Sequence, residues 1–171
     1  MNSQLEALFS EPEKAYLRPD ELNTLSRFVS SLPERINFYR RLRDEELALM
    51  QAVATALEQQ FPEASEARLK RSLQNGILVL RCAAMAMLTD DPSFVTQRLG
   101  TWLPEMVVAY DTAAIDKVLY QLIKQQLTEQ FASQQTALML PGINTAQALL
   151  AAPDGGVENT SSASETLAGL F

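Results

Sequence analysis

Histidine is absent from this sequence of 171 residues, and cysteine occurs once, as Cys82. Without an imidazole there is no proximal haem ligand, no ordinary zinc or non-haem iron site, and no Ser-His or Cys-His pair to activate a nucleophile. A lone cysteine forms no internal disulfide, which fits a reducing compartment. No uninterrupted run approaches the ~18 apolar residues of a membrane span, and no basic-then-apolar leader opens the sequence. Positive charge is scarce too. Fourteen Lys and Arg against 21 Asp and Glu leave a formal charge of −7, the wrong sign for gripping a nucleic-acid backbone. The clusters Arg40, Arg41, Arg43 and Arg68, Lys70, Arg71 read as solvated helix faces. These absences predict a soluble, cytoplasmic chain with no metal, no nucleic-acid partner and no transmembrane segment. No Gly-rich phosphate loop or acid–base constellation stands in for them, so no enzyme is expected.

What the sequence does contain is helical periodicity. With 47% hydrophobic residues it is long enough for one buried core and short for two. A short amphipathic entry (Leu5, Leu8, Phe9) leads to Arg18-Pro19-Asp20-Glu21, where Pro19 suits a first helical position and the acids complement the dipole. Leu22, Leu25, Phe28, Val29 and Leu32 share a face, and Pro33 is expected to restart the chain in a new direction. A helix from about 34 to 60 follows, with Ile36, Tyr39, Leu42, Leu49, Met50, Val53 and Leu57 inward and Phe61-Pro62 closing it. From about 63 to 88 runs a helix so apolar after Gly76 that it belongs deep in the core. Asp90-Asp91 reads as a cap, and Asp91-Pro92 starts a further helix that Pro104 should kink or break. Trp102 and Tyr110 are expected in the core. Asp111-Thr112 opens the next helix, which carries Ile115, Val118, Leu119, Leu122, Ile123 and Leu127.

Pro141-Gly142 reads as a terminator. The Ser/Thr/Ala/Gly-rich stretch after it, free of Lys and Arg, buries too little apolar area to offset ordering its backbone. The expected organisation is therefore a helical domain over 1–140 and a disordered, flexible tail over 141–171, with one short helix near 145–151. No strand is expected, and the fold class is all-α.

Three stretches resemble phycobiliproteins, the light-harvesting subunits of phycobilisomes. They are Tyr16-Leu17-Arg18-Pro19-Asp20-Glu21-Leu22, the helix ending at Phe61-Pro62, and Ser72 to Asp91 with the helices after it. The resemblance spans about 15–130 and implies a globin-like phycobiliprotein-type fold with a short N-terminal helical segment. In that family the central helix carries Cys-x-Arg-Asp, then five residues, then Arg. The cysteine forms a thioether to an open-chain tetrapyrrole, the arginine pairs with a propionate, and the aspartate accepts from the pyrrole nitrogens. Here the corresponding residues are Ser72, Gln74 and Asn75, and the trailing arginine is Arg81. A serine hydroxyl has no accessible anion near neutral pH, whereas a thiol does, and Gln and Asn lack the charges of Arg and Asp. Cys82, ten positions on and about 15 Å along the helix, does not replace Ser72. Arg81 is expected to pair with Asp44, Glu45, Glu46 or Glu105; the competing reading is a remnant anion site.

The resemblance implies a pigment-free, non-catalytic structural or regulatory protein of the light-harvesting apparatus. Its expected partners are a second copy (a homodimer through Leu5, Leu8, Phe9, Tyr16 and Leu17) or phycobilisome and other photosynthetic components at the cytoplasmic face of the thylakoid. The alternative is a noncovalent bilin carrier, chaperone or sensor using a pocket beside Ser72, Asn75 and Arg81. A globin-type sensor is a third reading, though one without ordinary haem ligation.

Overall fold

The computed structural model describes residues 3–10 and 16–151. Among them seven helices follow one another: α1 (Ser3–Phe9), α2 (Pro19–Gln60), α3 (Glu66–Thr89), α4 (Ser93–Leu99), α5 (Trp102–Tyr110), α6 (Ala113–Gln130) and α7 (Ser133–Ala151). No strand occurs among the described residues, as the periodicity requires. The ends obey local chemistry. Pro19 opens α2, and the Glu21 carboxylate reaches back to accept from the Arg18 backbone N–H at 2.7 Å. The Asp91 carboxylate accepts from the Ser93 backbone N–H (3.1 Å) and hydroxyl (2.6 Å), holding the first turn of α4. The expected break between the next two helices lies at Gly100-Thr101, and Pro104 falls in the first turn of α5, where a missing N–H costs nothing.

α3 is the centre of the molecule, packed by α2, α4, α5, α6 and α7. By length and hydropathy it would pass for a membrane span, yet half of its most apolar stretch is buried by these neighbours. Two glycines set how closely it is approached. A Cβ on Gly76 would come within 2.7 Å of the Leu119 side chain, and one on Gly142 within 2.8 Å of the Ala83 Cβ and 2.9 Å of its Cα. Gly76 and Ala83 are seven positions apart, so small residues let α6 and α7 lie side by side against nearly one face of α3. Around these contacts Leu80, Leu103, Ile115, Leu119, Ile123, Leu127, Met139 and Ile143 close a single core. The Phe131 ring meets Phe38 edge-on at 5.2 Å, tying the α6–α7 turn to α2. The Thr136 hydroxyl donates to the Leu127 carbonyl across that turn.

Both internal prolines overturn expectations. The chain does not restart at Pro33: α2 runs through it without interruption. Pro33 and Val29, the residue whose carbonyl loses its partner, are both exposed, so water satisfies what the helix cannot. The inward face of α2 also differs from expectation, since Phe38 is buried and Ile36 is partly exposed. Nor does the last helix end at Pro141. α7 continues to Ala151, with Pro141 and Ala137 both at the surface and Gly142 turned into the core. The boundary expected at 141 is therefore not an element boundary. The tail expected beyond it, from 152 to 171, lies outside the described residues.

Proline and glycine thus have opposite roles within one dipeptide, and stability measurements separate them. Pro141→Ala restores a helix donor on the solvent side and should stabilise by up to about 3 kcal/mol. Gly142→Ala drives a methyl into the Ala83 backbone and should cost about 1–3 kcal/mol. Urea unfolding of the two variants should give these opposite signs; equal signs would mean helix propensity alone governs the segment.

Candidate functional site

The four site residues read from the sequence lie on α3, but the helix does not bring them together. Ser72 and Asn75 are buried (0% and 1% exposed), whereas Gln74 and Arg81 face outward. Nine residues separate Ser72 from Arg81, which is about half a turn away in angle. The pocket expected beside Ser72, Asn75 and Arg81 is therefore two separate places on opposite faces of one helix.

On the inner face, Ser72 meets α6. Its hydroxyl donates to the Asp116 carboxylate, and the other oxygen of that carboxylate accepts from the Thr112 hydroxyl at 2.7 Å. Ser72, Thr112 and Asp116 are each fully buried. Burial raises the Asp116 carboxyl above the ordinary carboxylate range, and the two hydroxyl donors hold it back in part. No cation pairs with it among the described residues, so the two hydroxyls carry its solvation. One turn on, the buried Tyr120 hydroxyl has its acidity suppressed by burial and by the nearby Asp116 charge. The Tyr120 hydroxyl and the Asn75 amide nitrogen are buried without hydrogen-bond partners.

The outer face is different in kind. Arg81 forms a two-pronged bond to Glu46 of α2, Nε to Oε2 at 2.9 Å and Nη2 to Oε1 at 2.5 Å. This is one of the acids expected for it. The pair borders a groove of about 370 Å³ lined also by Tyr39, Leu42, Arg43, Leu80, Ala84 and Met85. With its charge answered by Glu46, Arg81 is a bridge between helices before it is an anion receptor. Cys82 is half-buried, and burial raises its thiol, with Arg98 opposing. It is poorly suited to attack anything.

At the start of α3 two further ties fix the helix. Arg68 donates to the carbonyl and carboxylate of Asp111, the left-handed residue (φ 50°) between α5 and α6. Arg71 stacks 4.2 Å over the Tyr110 ring and donates to its hydroxyl at 3.0 Å. Tyr110 is thus a surface platform for an arginine, not the core aromatic expected. Trp102 does pack against the core. Asp90 caps α3 in the left-handed region and pairs with Arg35 at 2.7 Å, a structural use in keeping with its expected role.

Asp116 is the residue that sequence reading missed. The signal was present: Asp116, Tyr120, Ile123 and Leu127 share one face of α6 at helical spacing, so an acid stands in a row of core positions. Chemically the arrangement is a clasp between helices. A hydroxyl whose acceptor is an acid, with no solvent access, has neither a base strong enough to activate it nor a substrate to attack.

A family model described as Phycobilisome protein matches residues 10–150. A comparison with curated proteins finds no match. The chain belongs to the phycobilisome protein family, which gives the helical fold its globin-like type and associates the protein with light harvesting. The match extends through Pro141-Gly142, in agreement with the continuous α7.

The clasp has a pH signature. A carboxyl raised by folding favours the protonated state in the native protein. Its contribution is fullest below the unfolded value, about 3.9, and declines as pH rises through the folded one. Asp116→Asn removes this titration. The stability of the wild type relative to Asp116→Asn should therefore fall as pH rises from about 4 until Asp116 has ionised, as read by urea unfolding across that range.

Proposed function

We propose that this phycobilisome-family protein is a non-enzymatic structural or regulatory subunit that carries no covalent bilin and acts through protein contacts within the light-harvesting apparatus. The observation that carries this reading is the state of Ser72. The residue at the pigment-attachment position is a hydroxyl, fully buried and committed to Asp116. Attachment there would require a thiolate facing a crevice wide enough for a tetrapyrrole. Gln74, at the position of the propionate-pairing arginine, faces solvent, and Asn75 brings no negative charge to the pyrrole nitrogens. The separation of Ser72 from Arg81 likewise weighs against a noncovalent bilin carrier built from these four residues.

Support for a contact role comes from the N-terminal end. Of the residues expected to face a partner, Phe9 and Tyr16 are exposed, Leu8 and Leu17 are partly so, and Leu5 instead packs inward. Apolar side chains left in water on an otherwise well-packed chain mark a surface that another protein covers. A place at the cytoplasmic face of the thylakoid follows from this reading.

Co-expression with phycocyanobilin synthesis and a bilin lyase, followed by absorption spectra and a denaturing gel, tests the assignment. The expected result is a protein with no bilin band that survives denaturation. A coloured band on the denaturing gel would overturn the reading, and colour present only in the native protein would revive the noncovalent carrier.

A further inference from the structure

One face of α2 carries a polar stripe that neither the core nor the Ser72 clasp uses. Thr24, Phe28, Ser31 and Arg35 follow at steps of four, three and four residues, with Arg27 alongside. Leu5 of α1 and Asp90 at the end of α3 meet that stripe, and together these residues line a cavity of about 280 Å³. Sites for drug-sized ligands run to about 300–1,000 Å³, so this cavity suits a smaller molecule.

Its donors are unevenly engaged. Arg35 is 8% exposed. Its Nη1 donates to the Met87 carbonyl at 2.8 Å and its Nη2 pairs with the Asp90 carboxylate at 2.7 Å. Its Nε is buried with no hydrogen-bond partner. Nε–H and an Nη2–H leave the guanidinium along one edge, so the unused donor points to the side of Asp90, which is a wall of the cavity. A buried donor without an acceptor is rare and destabilising. Arg27 is exposed at the rim. It makes two long bonds of 3.4 Å, to the Asn23 carbonyl and the Thr24 hydroxyl, and pairs with no acid among the described residues. The Thr24 and Ser31 hydroxyls already donate to carbonyls of their own helix. The donors left for an occupant are the two guanidiniums.

Charge then selects the class of occupant. Arg27 and Arg35 against Asp90 leave the lining with a net positive charge of one. The negative end of α3, which would repel an anion here, is already answered by Arg35 at the Met87 carbonyl. A monoanion brings the lining to neutrality, whereas a dianion sets an extra negative charge beside Asp90. Carboxylate oxygens accept well from guanidinium N–H groups. Leu5 and Phe28 complete the lining with apolar surface, which favours an organic body behind the carboxylate over a bare ion.

We propose that this cavity binds a small organic carboxylate, its oxygens between Arg27 and the Arg35 Nε and its apolar part against Leu5 and Phe28. The ligand bridges α1, α2 and the end of α3. Its site shares no residue with the Ser72 clasp or the groove beside Arg81.

Benzoate is the probe. Titrated at fixed ionic strength into the full chain labelled with nitrogen-15, it should shift arginine side-chain Nε–H signals saturably, the one assigned to Arg35 among them. Benzamide, which has the same shape and no charge, should leave them in place. Acetate and inorganic phosphate should both bind more weakly than benzoate. Arg27→Gln should keep its helical circular dichroism and raise the benzoate Kd about tenfold, as expected for one lost charge-assisted contact. Arg43→Gln, at an arginine paired with Asp44 on the same helix, should leave the Kd unchanged. The absence of a saturable shift would overturn the proposal. So would benzamide, acetate or phosphate matching benzoate, or Arg43→Gln weakening it as much as Arg27→Gln does.

Discussion

A hydrogen bond between Ser72 and a buried carboxylate holds the central helix where it is. Asp116 sits inside the protein with two hydroxyls in place of water and no cation beside it. Removing a carboxylate from water costs several kcal/mol unless its lone pairs are satisfied. Ser72 and Thr112 provide that satisfaction only when α3 and α6 lie at one separation and one register. Gly76, next to Asn75 on α3, permits the separation by leaving room for Leu119. The chemistry that makes position 72 a fastening is thus inseparable from the packing around it.

The same logic organises the rest of α3. Gly142 admits α7 against Ala83, while Arg81 spans to Glu46 on α2. Arg68 and Arg71 fasten its first turns to the α5–α6 corner, and Arg35 closes on Asp90 and the Met87 carbonyl at its last. Polar bonds at both ends and small residues in the middle fix one long apolar helix.

Much of this was legible in the amino-acid order. The helical class, the depth of α3, the Asp91 cap and the Arg81–Glu46 pairing all follow from local periodicity and from charges that need partners. Three things were not. Pro33 and Pro141 read as breaks because proline usually ends a helix, but where water takes the freed carbonyl the helix runs on and the cost is borne as lost stability. Tyr110 read as core because an aromatic at helical spacing usually is, but a neighbouring arginine offered a better surface partner. Asp116 went unread because an acid in the first turn of a helix looks like dipole compensation. Its place in the row of core positions with Tyr120, Ile123 and Leu127 pointed inward, but its partner Ser72 lies 44 positions upstream and only the tertiary approach supplies it. Contacts between residues distant in the chain, and the side of a helix that water reaches, are what a single sequence encodes least directly.

The accessibility of position 72 bears most directly on this account. In a Cys82→Ser background, a cysteine introduced as Ser72→Cys reports whether that position opens to a reactant. Native-state labelling with a maleimide should proceed only as fast as the protein unfolds, slowing with every stabilising addition to the buffer. Labelling at the rate of a free thiol in the folded protein would show an open crevice at the attachment position and contradict the account.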